Sequence, residues 1–250
     1  MSSKELFSKN WLKFVAESRR REFLEILEEL SRLYTQHNVP FILIGASSLL
    51  MRGCLRYLAW WDFDLLFDSE EDLLKFHQLP KSESIQIFNV DPQIIQYEHL
   101  SSLQSMWGVR HIWYRMDYIF RKNYYQFHLT APQNSLIYQE QFQWEDHIYR
   151  VHLPVAHPWN MFIDKLLSSR LQWELNSGEL YSIDIRHLFS IFTLYHKDKK
   201  FWEYVGQKAD ELGERKQMKS TLRKLLDKRE ELGYSTISVT QRDLNFVEGL

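Results

Sequence analysis

Two aspartates in "WWDFDLLF", residues 60–67, constrain this chain more than any other feature. Trp61, Phe63, Leu65 and Phe67 recur with a period of two, which predicts a half-buried strand with Asp62, Asp64 and Leu66 on its other face. Asp is depleted from strands, and an ionised carboxylate among apolar side chains is costly unless a positive charge compensates it. Side chains two apart lie about 6.6 Å apart along one face, close enough to converge on the same cation. Magnesium prefers a few carboxylates supplemented by waters and phosphate oxygens. A pair of such ions, about 3.5–4 Å apart, would clamp the attacking and leaving oxygens of a phosphoryl transfer. Solvation on an open sheet edge is the structural alternative for the two aspartates.

The flanking sequence suits that chemistry. "FILIG" (41–45) reads as a buried strand closing on Gly45, and "ASSLLMRG" opens a helix. Gly45 permits close backbone approach, while Ser47 and Ser48 place hydroxyls beside free helix N–H groups, a cradle for phosphate. Ser47 could equally cap the helix. Asp117, in "YRMDYIF", is a third carboxylate in an apolar strand, and Arg115 or Arg121 could pair with it at the surface.

Around this centre the periodicities outline the rest. Phe23, Ile26, Leu27, Leu30, Leu33 and Tyr34 predict an amphipathic helix over 20–36, ended by Asn38 and Pro40. Ser69 stands three residues before Asp72, a capping signal. Strands are expected at 84–90, once or twice within 110–121, and at 146–154. Pro158 suits a first helical position, with a helix to about Trp173 and another from about Ser182 to Tyr195. Beyond Lys197 the pattern is charged and helical. The expected division is an α/β core over 1–155 and a helical region over 156–250 packed on it.

Composition excludes more than it selects. A net charge of −2 gives no global nucleic-acid signal, and the basic stretch at 213–230 reads first as a solvated helix face and second as an RNA contact. The single cysteine, Cys54, rules out an internal disulfide and a cysteine-rich zinc site, and the ten histidines lack zinc-type spacing. The polar start "MSSKELFSKNWLKF" and the lack of a long apolar run predict a cytoplasmic protein with no membrane partner.

The succession of apolar strand, Gly45-Ala46-Ser47 turn, helix and Asp62-x-Asp64 resembles the signature of the nucleotidyltransferase-fold superfamily. "HIYRVHLPVAHPWNMFIDKLLSSR" followed by "DIRHLF" is similar to the corresponding segment of AbiEii-type and minimal bacterial nucleotidyltransferases. Ala46 departs from the usual second Gly or Ser, and Trp60 and Trp61 replace a small hydroxyl residue. The resemblance implies a small mixed β-sheet of nucleotidyltransferase type flanked by helices, with a helical C-terminal region. It implies Asp62, Asp64 and Asp117 as ligands of Mg2+ or Mn2+ and as catalytic groups. Gly45, Ala46, Ser47, Lys165 and Asp184 become the nucleotide-binding positions. The implied reaction moves a nucleotidyl group from a nucleoside triphosphate to a hydroxyl of RNA or protein, in a toxin–antitoxin or phage-defence setting. A catalytically degenerate nucleotide-binding or RNA-binding regulator of the same fold is the alternative.

Overall fold

The computed structural model describes residues 9–57, 62–97, 100–132, 135–178, 183–235 and 239–249. Trp60, Trp61 and Ser182 lie outside them. The chain divides into two compact units, Met1–His157 and Pro158–Leu250.

In the first unit, α1 (Arg20–His37) precedes β1 (Phe41–Ile44), α2 (Gly45–Met51), β2 (Asp62–Phe67) and α3 (Glu70–Gln78). Then come β3 (Ile85–Tyr97), β4 (Leu100–Val109), β5 (Ile112–Phe120), α4 (Tyr124–Leu129), β6 (Ile137–Trp144) and β7 (His147–Pro154). The first five strands form one mixed sheet in the order β1-β2-β5-β4-β3, and β6 and β7 form a separate hairpin. Only the β2–β5 pairing in the sheet is parallel among the described residues. The architecture is therefore mixed α/β, with the expected helical C-terminal region.

The period-two reading of β2 holds for the described residues. Phe63, Leu65 and Phe67 are fully buried. They face aromatic side chains from the helices: Phe23 of α1 lies 5.0 Å from Phe63, and Phe76 of α3 lies 5.3 Å from Phe67 between ring centres. Each such ring contributes about 1.5–3 kcal/mol by leaving water. Asp62 and Asp64 are left on the opposite face. Asn38 ends α1 with φ of 50°, in the left-handed conformation that Asn tolerates, and Ser69 caps α3 by accepting from the Asp72 N–H at 3.0 Å.

β4 follows no apolar alternation because two of its inward positions are serines. Ser105 is fully buried, and its hydroxyl lies 2.7 Å from the Tyr118 hydroxyl, to which the Trp107 indole also donates at 2.9 Å. Paired polar groups thus replace the apolar residues that a half-buried strand normally turns inward.

The second unit contains α5 (Pro158–Leu166), α6 (Ser169–Ser177), α7 (Ile183–Tyr195), α8 (Lys199–Leu212), α9 (Arg215–Asp227) and α10 (Gln241–Gly249). The single helix expected over 158–173 is two, because Ser168 starts a new one by accepting from the Leu171 N–H at 3.4 Å. None of the described helices is long and apolar enough to cross a membrane.

Candidate functional site

Strand register brings the three sequence-predicted carboxylates together. On adjacent parallel strands Asp62 lies beside Arg115 and Asp64 beside Asp117, while Ile44 at the end of β1 pairs with Asp64 from the other side. One oxygen from each of Asp62, Asp64 and Asp117 falls within 4.8 Å of the others. Asp62 and Asp64 are half-buried, and Asp117 is only 7% exposed.

Gly45 belongs to the same cluster. Its φ is +72°, and a Cβ placed there would meet Asp64 Oδ2 at 1.8 Å. The chain turns from β1 into α2 directly against the Asp64 carboxylate, which any side chain at this position would obstruct. Ala46 is half-buried in the same turn. Ser47 does not cap α2. Its hydroxyl, 1% exposed, donates to the Asp62 carbonyl at 2.8 Å and so ties the helix to the strand that carries the aspartates. Ser48 likewise donates to the Gly45 carbonyl at 2.8 Å, which braces the turn.

Arg115 supplies the positive charge that the carboxylates need. Its Nη2 lies 2.8 Å from Asp117 Oδ2 and 3.5 Å from Asp62 Oδ2, and its Nε donates to Asp117 Oδ2 at 2.9 Å. Burial pushes the Asp117 carboxyl above its usual range. The Arg115 charge opposes this, Asp62 adds to it, and the Gln104 amide opposes it. Asp117 Oδ1 is buried and makes no hydrogen bond within normal distance. An acid cluster with one orphaned carboxylate oxygen, packed against a glycine that leaves space for the Asp64 carboxylate, fits a hard divalent cation with oxygen ligands.

Lys165 and Asp184 meet within the helical unit. Lys165 Nζ lies 2.7 Å from Asp184 Oδ1, and Ser168 donates to Asp184 Oδ2 at 3.0 Å. Burial raises the Asp184 carboxyl, but Lys165, with Arg170 and Ser168, outweighs it and leaves the group below its ordinary value. His187, one turn along α7, is 3% exposed, a buried structural histidine. Burial and the Lys165 charge push it down to about 3, so it is neutral.

A pH dependence follows. With the folded pKa of Asp184 below the unfolded one, its stabilisation is complete above the unfolded value and is lost as pH falls through the folded value. Melts of wild type followed by circular dichroism should fall below about pH 4. Asp184→Asn should flatten that limb and cost about 3 kcal/mol at pH 7, because it removes one charge of a buried ion pair.

Three of the seven Lys/Arg in the basic stretch at 213–230 are engaged in internal pairs with residues outside it. Arg215 grips Asp210 with two contacts of 2.5 Å, and Lys219 and Arg223 both reach Glu248. Charges committed in this way weaken the RNA-backbone reading of the stretch.

No family model matches the chain, and no curated protein does. Solved structures to which it is similar include the following three. A proposed nucleotidyltransferase from H. pylori is 13% identical over 94% of this chain and 97% of that one, with a TM-score of 0.37. An antigenic nucleotidyltransferase-like protein from Paracoccidioides brasiliensis is 14% identical over 81% and 93%, with a TM-score of 0.37. JHP933 from Helicobacter pylori is 14% identical over 92% and 97%, with a TM-score of 0.33. These values are too low to assign a family or an activity.

Proposed function

We propose that the chain is a metal-dependent nucleotidyltransferase, moving a nucleotidyl group from a nucleoside triphosphate to a hydroxyl acceptor on RNA or protein. The observation that supports this reading is the convergence of Asp62, Asp64 and Asp117 within 4.8 Å, against a glycine that leaves room beside Asp64. Three carboxylates in so small a space repel one another, and the Arg115 guanidinium offsets part of that repulsion.

Asp62 and Asp64 would hold Mg2+ or Mn2+, with Asp117 completing the set. When bound, the ion would neutralise charge on the triphosphate and on the phosphorus under attack. Asp117 Oδ1, the oxygen that Arg115 leaves open, would take the proton of the incoming hydroxyl. The acceptor oxygen bonds to the α-phosphorus, the bond from the α-phosphorus to the bridging oxygen breaks, and pyrophosphate leaves. The Gly45-Ala46-Ser47 turn would lie along the phosphates through its backbone, because the Ser47 hydroxyl is already given to Asp62.

Calorimetric titration of the four nucleoside triphosphates, with and without Mg2+, tests the reading. Wild type should bind at least one of them only with the metal. Asp62→Asn/Asp64→Asn should bind none and should lower transfer to labelled acceptors by about a thousandfold. Metal-independent binding, or equal binding by the double variant, would sink it.

A further inference from the structure

Arg115 differs from the other buried or clustered arginines in what it holds and how firmly. Arg52 is 2% exposed and is fixed by three backbone carbonyls. Arg32 closes on Glu29 through two nitrogens and also donates to the Pro80 carbonyl. The Arg115 side chain is 49% exposed, and the partners described for it are the Asp117 and Asp62 carboxylates. It therefore sits on two of the three carboxylates that a cation at this site would also use.

The charge balance makes that position conditional. Without a metal, the guanidinium offsets part of the repulsion among three carboxylates. An entering divalent ion would put like charges a few ångströms apart, where the repulsion is worth several kcal/mol even at a high effective dielectric. Arg115 is long and half in water, so it can leave while β5 stays in place. A triphosphate arriving with the metal offers phosphate oxygens that match the planar fork of a guanidinium.

We infer that Arg115 is an exchangeable counter-ion: it pairs with Asp62 and Asp117 in the metal-free chain and transfers to the triphosphate when the metal binds. This rests on the metal–triphosphate reading of the site. It makes Arg115 a positioning residue whose two partners are used in turn. Loss of Arg115 should then have opposite effects on the two ligands, tightening the cation and weakening the anion.

The test is Mn2+ binding by electron paramagnetic resonance, on wild type, Arg115→Met, Arg115→Lys and Asp64→Asn. It is repeated with saturating Mn2+ and an α,β-methylene triphosphate of each base. Arg115→Met should bind Mn2+ alone about tenfold tighter and the triphosphate about tenfold weaker, with Arg115→Lys between it and wild type on both. Equal or weaker Mn2+ binding by Arg115→Met, with Asp64→Asn binding none, overturns the exchange and leaves the metal site standing. Triphosphate affinity untouched by Arg115→Met overturns it as well. Absence of Mn2+ binding by wild type and Arg115→Met alike overturns the metal site itself, and this inference with it.

Discussion

Gly45→Ala is expected to abolish metal binding and to destabilise the α/β unit, although it adds only one methyl group. Two penalties coincide. The backbone at φ +72° is strained for any residue with a Cβ, by about 1–2 kcal/mol. The added carbon would also stand 1.8 Å from Asp64 Oδ2, 2.9 Å from its Cγ and 3.3 Å from its Cβ. A long side chain could swing its tip away from such a contact, but Asp is short and the clash reaches its stem. Asp64 is also held between β1 and β5 by its own strand. Its carboxylate must leave the cluster, or the turn from β1 into α2 must open. Mn2+ affinity should fall at least a hundredfold, and stability by about 2–4 kcal/mol. Mn2+ should raise the melting temperature of wild type but not of the variant. An unchanged melt with full Mn2+ binding would show that the turn is not built around Asp64.

The second large effect is expected far from any chemistry. The Arg52 guanidinium donates from Nη2 to the carbonyls of Ser135, Leu136 and Val155 at 2.6, 2.9 and 2.6 Å. Leu43 of β1 accepts from the Ala156 N–H at 2.9 Å in the same neighbourhood, so Arg52 fastens the end of α2 to the place where the β6–β7 hairpin meets β1. Arg52→Met keeps most of the bulk but leaves carbonyls without their donor. It should cost about 3–5 kcal/mol, or roughly 6–20 °C in melting temperature for a chain of this size. The same change removes a charge that, together with burial, pushes His157 down to about 3. The His157 pKa in the variant, followed by NMR, should therefore rise. A melt within a degree or two of wild type would mean that the clamp is dispensable.

What could be read from the sequence follows from how each residue earns its place. Asp62 and Asp64 were legible because carboxylates violate the pattern of an otherwise apolar strand. The ends of α1 and α3 were legible because Asn38, Ser69 and Asp72 act on the backbone only a few residues away. β4 was not, since Ser101, 7% exposed, and Ser105 turn inward, and their partners lie on other elements. The hairpin strand β6 was missed for a related reason: Tyr138 and Phe142 are its buried anchors, and Tyr138 accepts from the distant Trp11 indole at 2.8 Å. At the site, the sequence marked Gly45 as a point of close approach but could not say what approached it. Nor could it show that Ser47 would spend its hydroxyl on the Asp62 carbonyl rather than on a cap or a ligand. Those facts live in the register between strands, which no short window contains.

The parallel seam between β2 and β5 has a consequence for how the protein comes into being. Asp64 and Asp117 are neighbours in space but roughly fifty residues apart along the chain, with α3, β3 and β4 between them. A ribosome that has released β2 has produced two aspartates but no trio. The third arrives only after the β3–β4–β5 meander has been made and its last strand has docked alongside the second. Long-range closures of this kind are slow steps in folding. The three-carboxylate cluster would thus be completed only after that docking, and until then the nascent chain would carry two of its members without the third.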